Sequence, residues 1–215
     1  MVKKSKTIST KRSAKSSYAF VCDGQTESWY INMLQRNEPN LQISLKPELA
    51  QKKDIAEQYS FVKELVEDYE LVFWIVDMDV VIKETREHKG PKDTSPTDIL
   101  QSCLNELDTL AEIKDKVVFI PNTPCLEFWI LLHFIRTTKY YATCDSVVTD
   151  LRKYDPVKDY DKSSKYYTQS RDIYKRLKPY LDTAKTNSSK IGSLDFSNLE
   201  QGRCGMYKIF EKLNI

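Results

Sequence analysis

Between residues 18 and 136 the apolar positions of this chain fall alternately into short continuous runs and helical stripes. Residues 18–22 (YAFVC) read as a short buried strand. Asp23-Gly24-Gln25-Thr26-Glu27 breaks it, and residues 28–36 then have helical spacing. Residues 41–46 alternate like a second strand. Residues 52–70 form an amphipathic helix with Ile55, Tyr59, Val62, Leu65, Val66 and Tyr69 on one stripe. Residues 71–76 (LVFWIV) are a continuous apolar run closed by Asp77-Met78-Asp79, the pattern of a parallel strand covered on both faces. The charged stretch 83–94, with Gly90 and Pro91, predicts a mobile loop. Ser95 then caps a helix that has Pro96 at its first position and Ile99, Leu100, Cys103, Leu104, Leu107 and Leu110 on its core face. Residues 117–120 (VVFI) predict the next strand, 121–124 a polar turn, and 126–135 an almost wholly apolar helix.

This alternation predicts an α/β fold with a mainly parallel sheet flanked by helices. From Cys144 onward the pattern is helical only, over about 145–154, 163–184 and 198–213. The chain thus divides into a tail (1–17), an α/β core (18–140) and a helical C-terminal extension (141–215) packing on the core. The apolar runs 71–76 and 128–135 are too short to span a bilayer, and no apolar segment follows the basic start as in a secretory leader.

With 40% apolar and 30% charged residues, the chain is able to bury a core. Its formal charge of +2 conceals a division: residues 1–17 hold six basic residues and no acid, and the remainder carries 27 basic against 31 acidic. Such a tail is a solvated extension or an arm that contacts nucleic acid through counterion release. Five scattered cysteines without a CxxC pair predict neither a zinc ribbon nor a disulfide framework, and hence a reduced, cytoplasmic setting.

The acids carry the candidate chemistry, because ligands of open α/β sheets gather beyond the carboxyl ends of the strands. Asp23 follows the first predicted strand, with Glu27 four residues on. Asp77 and Asp79 follow the most apolar strand, and two-residue spacing along an extended chain puts both on one side. Glu127 lies in the first turn of an otherwise hydrophobic helix, where an acid without a partner is costly. Each has a structural alternative: a turn pair at Asp23-Gly24, a helix N-terminus for Glu27, a strand stop for Asp77 and Asp79. Converging carboxylates resist burial unless a cation compensates them, and Mg2+ does so with oxygen ligands and substrate phosphates. His133 reads as a structural residue. No Ser/His/Asp or Cys/His arrangement, P-loop or GxGxxG is present.

Three blocks, VCDGQTESWY, FWIVDMD and NTPCLEFWILLHF, resemble the RloB-like proteins of bacterial and archaeal defence loci, in order and spacing over nearly the whole chain. That family is in turn similar to Toprim domains. The resemblance implies a Toprim-like sheet and a Mg2+- or Mn2+-dependent nuclease acting in anti-phage defence or abortive infection. Asp23, Asp77 and Asp79 would be metal ligands, and Glu27 and Glu127 additional catalytic acids. It also implies an AAA- or ABC-type ATPase partner encoded nearby; a homo-oligomer is a further expectation. Asp23 departs from the usual Glu and is one methylene shorter. This bears on a role as base more than on metal binding, and keeps open a non-catalytic adaptor that binds nucleic acid or an ATPase.

Residues 152–190 hold 11 Lys and Arg, five Asp and six Tyr. They form either a phosphate- and base-stacking surface for RNA or DNA, or a buried tyrosine stripe with a solvated basic face. Lys165, Arg171, Lys175, Arg176 and Lys178 are the candidate nucleic-acid-binding cations.

Overall fold

The apolar runs become strands β1 (Ser17–Val21), β2 (Gln42–Leu45), β3 (Leu71–Asp77) and β4 (Val117–Thr123), joined by a two-residue β5 (Arg203–Cys204). The structure, a computed structural model, describes residues 17–22, 24–45, 54–91 and 94–215. The strand order is β2-β1-β3-β4-β5, with β1 to β4 parallel to their neighbours and β5 antiparallel to β4. This is the mainly parallel α/β sheet that the alternation predicts. The basic tail up to residue 16, Asp23, residues 46–53 and residues 92–93 lie outside the described residues.

Side-chain alternation along the strands divides the core in two. Ala19, Val21, Val72, Trp74 and Val76 pack with α2 (Ile55–Leu65), α3 (Met78–Glu87) and α4 (Pro96–Thr109). Phe20, Phe73, Ile75, Val118 and Ile120 face α1 (Gln25–Asn37), α5 (Leu126–Leu132) and the C-terminal helices. Those are α6 (Cys144–Leu151), α7 (Ser164–Thr168), α8 (Ile173–Leu177), α9 (Leu181–Lys190) and α10 (Tyr207–Leu213). Placing α1 and α2 on opposite faces is what right-handed crossovers require when the chain reverses its direction across the sheet.

Several boundaries differ from the sequence reading. Part of the predicted loop 83–94 is helical, since α3 runs to Glu87. Met78, Val81 and Ile82, spaced three and four apart, anchor it under an otherwise charged surface. Strand β4 continues through Pro121, Asn122 and Thr123, because Asp77 on one side and Cys204 and Arg203 on the other provide backbone partners for a polar segment. The predicted helix 163–184 is three helices and a 3-10 turn: the side chains of Ser163 and Asp172 each cap a new start, and Pro179 sits in the turn Lys178–Tyr180. The C-terminal region is not purely helical, since residues 203–204 form β5 and only Tyr207–Leu213 of the last predicted helix is helical.

The cysteine expectation also changes. Cys125 and Cys144 are joined in a disulfide, 19 residues apart in sequence, because the α5 and α6 starts pack together, a proximity that no sequence spacing reveals. Cys22, Cys103 and Cys204 are in no disulfide, and all three are buried. Among the described residues no helix is long and apolar enough to cross a membrane.

Candidate functional site

The chain passes from β1 to β2 on one side and then returns across β1 to β3 on the other. The direction of winding therefore reverses between β1 and β3. At such a switch point the following helices diverge and leave a crevice beyond the strand ends. Glu27, in the first turn of α1, and Asp77, the last residue of β3, meet there. Glu127, in the first turn of α5 after β4, and Asp79, in the first turn of α3, complete the group. Asp79 is helical rather than extended, so it does not reach the cleft by strand alternation. The turn at Met78 brings it round, and its backbone N–H donates to Pro124 O at 3.0 Å. Glu27, Asp77, Asp79, Cys144 and Lys162 line one cleft, with Glu127 behind Lys162.

Burial makes this cluster chemically unusual. Glu27 is 3% exposed and Glu127 fully buried. The Glu27 carboxyl folds back over Gly24, where a Cβ would lie only 1.8 Å from Oε2, so a side chain at position 24 would displace it. Burial raises the Glu27 pKa from 4.5 to about 7, with the charge of Glu127 adding to it. Its own backbone N–H, a hydrogen bond with Asp77 and the charge of Lys162 act the other way. Asp77 is raised well above the usual carboxylate range, by burial first and then by the charges of Glu27, Glu127 and Asp79. Asn122 Nδ2 approaches Asp77 Oδ1 at 3.5 Å.

Two residues that sequence reasoning missed hold Glu127 in place. Tyr160 donates its hydroxyl to Glu127 Oε1 at 2.7 Å and also meets the Tyr167 hydroxyl at 2.7 Å. Lys162 Nζ lies 3.2 Å from the same Oε1. Burial works to lower the Lys162 pKa, but the charges of Glu127, Glu27 and Asp77 outweigh it, so the net shift is upward and the ammonium stays charged. Nothing in DYDKSSKYY distinguishes Lys162 from its neighbours, whereas Asn122 stands within the NTPCLEFWILLHF block and could have been singled out there. Tyr160→Phe is expected to lower stability by about 1–3 kcal/mol, because it removes a donor from a buried carboxylate. Urea denaturation of both proteins checks this, and an unchanged midpoint would contradict it.

Whether the cluster fits a divalent cation is decided by its unsatisfied atoms. Glu27 Oε1 and Glu127 Oε2 are buried without a hydrogen-bond partner. Buried carboxylate oxygens are costly in that state, and a hard cation satisfies them. Glu27, Asp77 and Asp79 offer oxygen atoms to this cleft, the donor type that Mg2+ and Mn2+ take.

The candidate cations of the C-terminal half lie elsewhere, on α7, α8, their connection and the 3-10 turn Lys178–Tyr180. Lys165, Arg171, Lys175 and Lys178 are exposed. Lys178 pairs with Glu38 at 2.7 Å and Lys175 approaches Asp172 at 3.7 Å. Arg176 is a framework residue: it binds Asp159 at 2.8 Å, stacks over Tyr166 and donates to Arg171 O. Tyr160, Tyr166, Tyr167 and Tyr174 are buried in the core and hence unavailable for base stacking. Tyr154 and Tyr180 pack around Phe134. His133 is also structural: its Nδ1 meets Trp129 O at 3.0 Å, and burial lowers its pKa from 6.5 to about 4.

Fold and site together define an α/β protein with a buried carboxylate cluster at the switch point of a mainly parallel sheet. The chain belongs to the RloB-like protein family, whose model matches residues 18–213. None of the curated proteins or solved structures compared with the chain matches it.

Proposed function

We propose that this chain is a Mg2+- or Mn2+-dependent, Toprim-like nuclease that cleaves RNA or DNA in anti-phage defence. The observation that carries the reading is the placement of Glu27, Asp77 and Asp79 on one cleft with Glu127 behind Lys162, where a buried oxygen of Glu27 and one of Glu127 lack hydrogen-bond partners. The defence role and the ATPase partner rest on the resemblance to proteins of defence loci. Asp77, Asp79 and Glu27 would hold the ion, together with Asp23 if that residue serves as the resemblance implies. When bound, such an ion neutralises charge at a phosphodiester and lowers the pKa of a water. Lys162 presents an ammonium to the same cleft, where it meets substrate phosphate, and Tyr160 and Glu127 keep it oriented. The test is cleavage of tRNA, single-stranded and duplex substrates with Mg2+ or Mn2+ against chelator. Absence of cutting with or without an ATPase partner, together with full phage protection by Asp77→Ala and Asp79→Ala, would overturn the reading.

One observation favours a non-catalytic adaptor that binds nucleic acid or an ATPase. Lys162 already neutralises part of the cluster through Glu127, so the cleft does not depend on a cation for all its compensation. Substrate binding without cleavage in the same assay would select this second reading.

The exposed cations provide a separate prediction. Lys165→Ala and Arg171→Ala are each expected to weaken nucleic-acid binding about equally across sequences and to reduce the salt slope by about 1. Arg176→Ala is expected to lower the unfolding midpoint, since its partners are protein groups. Filter binding at several salt concentrations, alongside thermal melts, separates the two effects; an unchanged slope for Lys165→Ala and Arg171→Ala would remove these residues from the interface.

A further inference from the structure

Cys125 immediately precedes α5 and Cys144 opens α6; Cys144 lines the acidic cleft and Cys125 is buried against it. Their sulfurs are bonded to each other, and the two sulfurs and a Glu127 carboxylate oxygen all lie within 4.8 Å of one another. Cys144 Sγ is also 3.3 Å from Asp79 Oδ2. Glu127 supplies an independent sign of a ligand. It is fully buried, its Oε1 is engaged by Tyr160 and Lys162, and its Oε2 has no hydrogen-bond partner. A buried oxygen left in that state calls for positive charge.

The donor set determines which cation. Mg2+ takes oxygen ligands, whereas thiolates with one carboxylate suit a borderline-soft divalent ion that prefers a tetrahedral shell. We propose that, once the disulfide is reduced, Cys125, Cys144 and Glu127 form a Zn2+ site, with the fourth position open towards Asp79. Reduction by two thiols breaks the S–S bond, giving two cysteine thiols and one reductant disulfide. Zn2+ then displaces the two thiol protons and forms two Zn–S bonds. Bonds of about 2.3 Å in a tetrahedral shell place the sulfurs roughly 3.7 Å apart, within reach of two cysteines whose Cα atoms are 6.0 Å apart. The oxidised pair has no thiolate to offer, so the site exists only in the reduced protein. This inference shares Glu127 with the nuclease reading but rests on the two sulfurs, which that reading does not use.

The test uses the full chain, with Zn2+ as the probe and a chromophoric chelator as competitor. After reduction with a phosphine, and with Mg2+ in excess throughout to occupy the carboxylate cleft, one Zn2+ per chain is expected, against a trace in the oxidised protein. Cys144→Ser and Glu127→Gln are each expected to weaken binding at least about 10-fold, and Cys103→Ser, on the far face of the sheet, to leave it unchanged. Co2+ in place of Zn2+ is expected to give a thiolate-to-metal charge-transfer absorption that Cys144→Ser abolishes. Cys144 is partly exposed and Cys125 fully buried, so the Cys144 variant carries the test without disturbing the core. Equal Zn2+ binding by reduced wild type and Cys144→Ser, or by reduced and oxidised wild type, would overturn the proposal. None of these readouts involves nucleic-acid cleavage, so failure here leaves the nuclease reading standing, and the converse holds.

Discussion

Asp77→Asn is expected to reduce metal-dependent cleavage by about 10²–10³-fold while leaving the fold intact. The rate follows from the position of Asp77 at the end of β3, between Glu27, Asp79 and Asn122, where one oxygen-rich ion site would need it. Loss of several kcal/mol of charge stabilisation at a phosphodiester translates into that range. The intact fold follows from electrostatics: asparagine keeps the shape and removes a charge whose neighbours are mainly acids. Cleavage at saturating Mg2+, compared with circular dichroism and a thermal melt in chelator, measures both. A folded Asp77→Asn protein with wild-type cleavage would remove the cluster from the chemistry, and a protein that fails to fold would refute the electrostatic argument.

Glu27→Gln is expected to stabilise the metal-free protein at pH 8, on the order of 2–3 kcal/mol. The Glu27 carboxyl titrates near 4.5 when unfolded and near 7 when folded, because burial penalises its charge. Between those values the folded chain binds more protons than the unfolded chain. Wild-type stability therefore falls as pH rises through this window, and the whole penalty is present above it. Glutamine has no proton to lose, so its contribution to the slope vanishes; Asp77, whose carboxyl is also raised, leaves a residual one. Added Mg2+ should stabilise the wild type at pH 8 and the variant less, since the ion favours the ionised cluster. Denaturation of both proteins in chelator from pH 4.5 to 8 tests this. Wild-type stability that rises between pH 5 and 7, or a variant less stable at pH 8, would contradict it.

The strands and their acids were legible because the signals are local. Leu71–Asp77 is apolar on both faces as a covered parallel strand must be, and Asp77 falls where that burial ends. The Ser95 cap with Pro96 behind it set the start of α4 as expected: the Ser95 side chain accepts from Asp98 N. Other features were hidden in the same chain. The stretch 83–87 looked like a loop since only Met78, Val81 and Ile82 are needed to anchor α3, and charge covers the remainder. The helix 163–184 looked continuous because the caps at Ser163 and Asp172 compete with helical spacing only when each short helix finds its own packing surface.

The sequence by itself determined the α/β alternation, the two-sided burial of β3 and the placement of Glu27, Asp77 and Glu127 after three parallel strands. Periodicity and the cost of burying charge act within a few residues, so they can be read without a partner. Tertiary structure alone decided the rest. It brought Lys162 and Tyr160 onto Glu127 from more than thirty residues away. It set Cys125 against Cys144, withdrew four tyrosines into the core, and turned Arg176 from a candidate phosphate ligand into a framework contact. Each of these depends on which helix packs beside which, and that is a property of non-local contacts rather than of spacing along the chain.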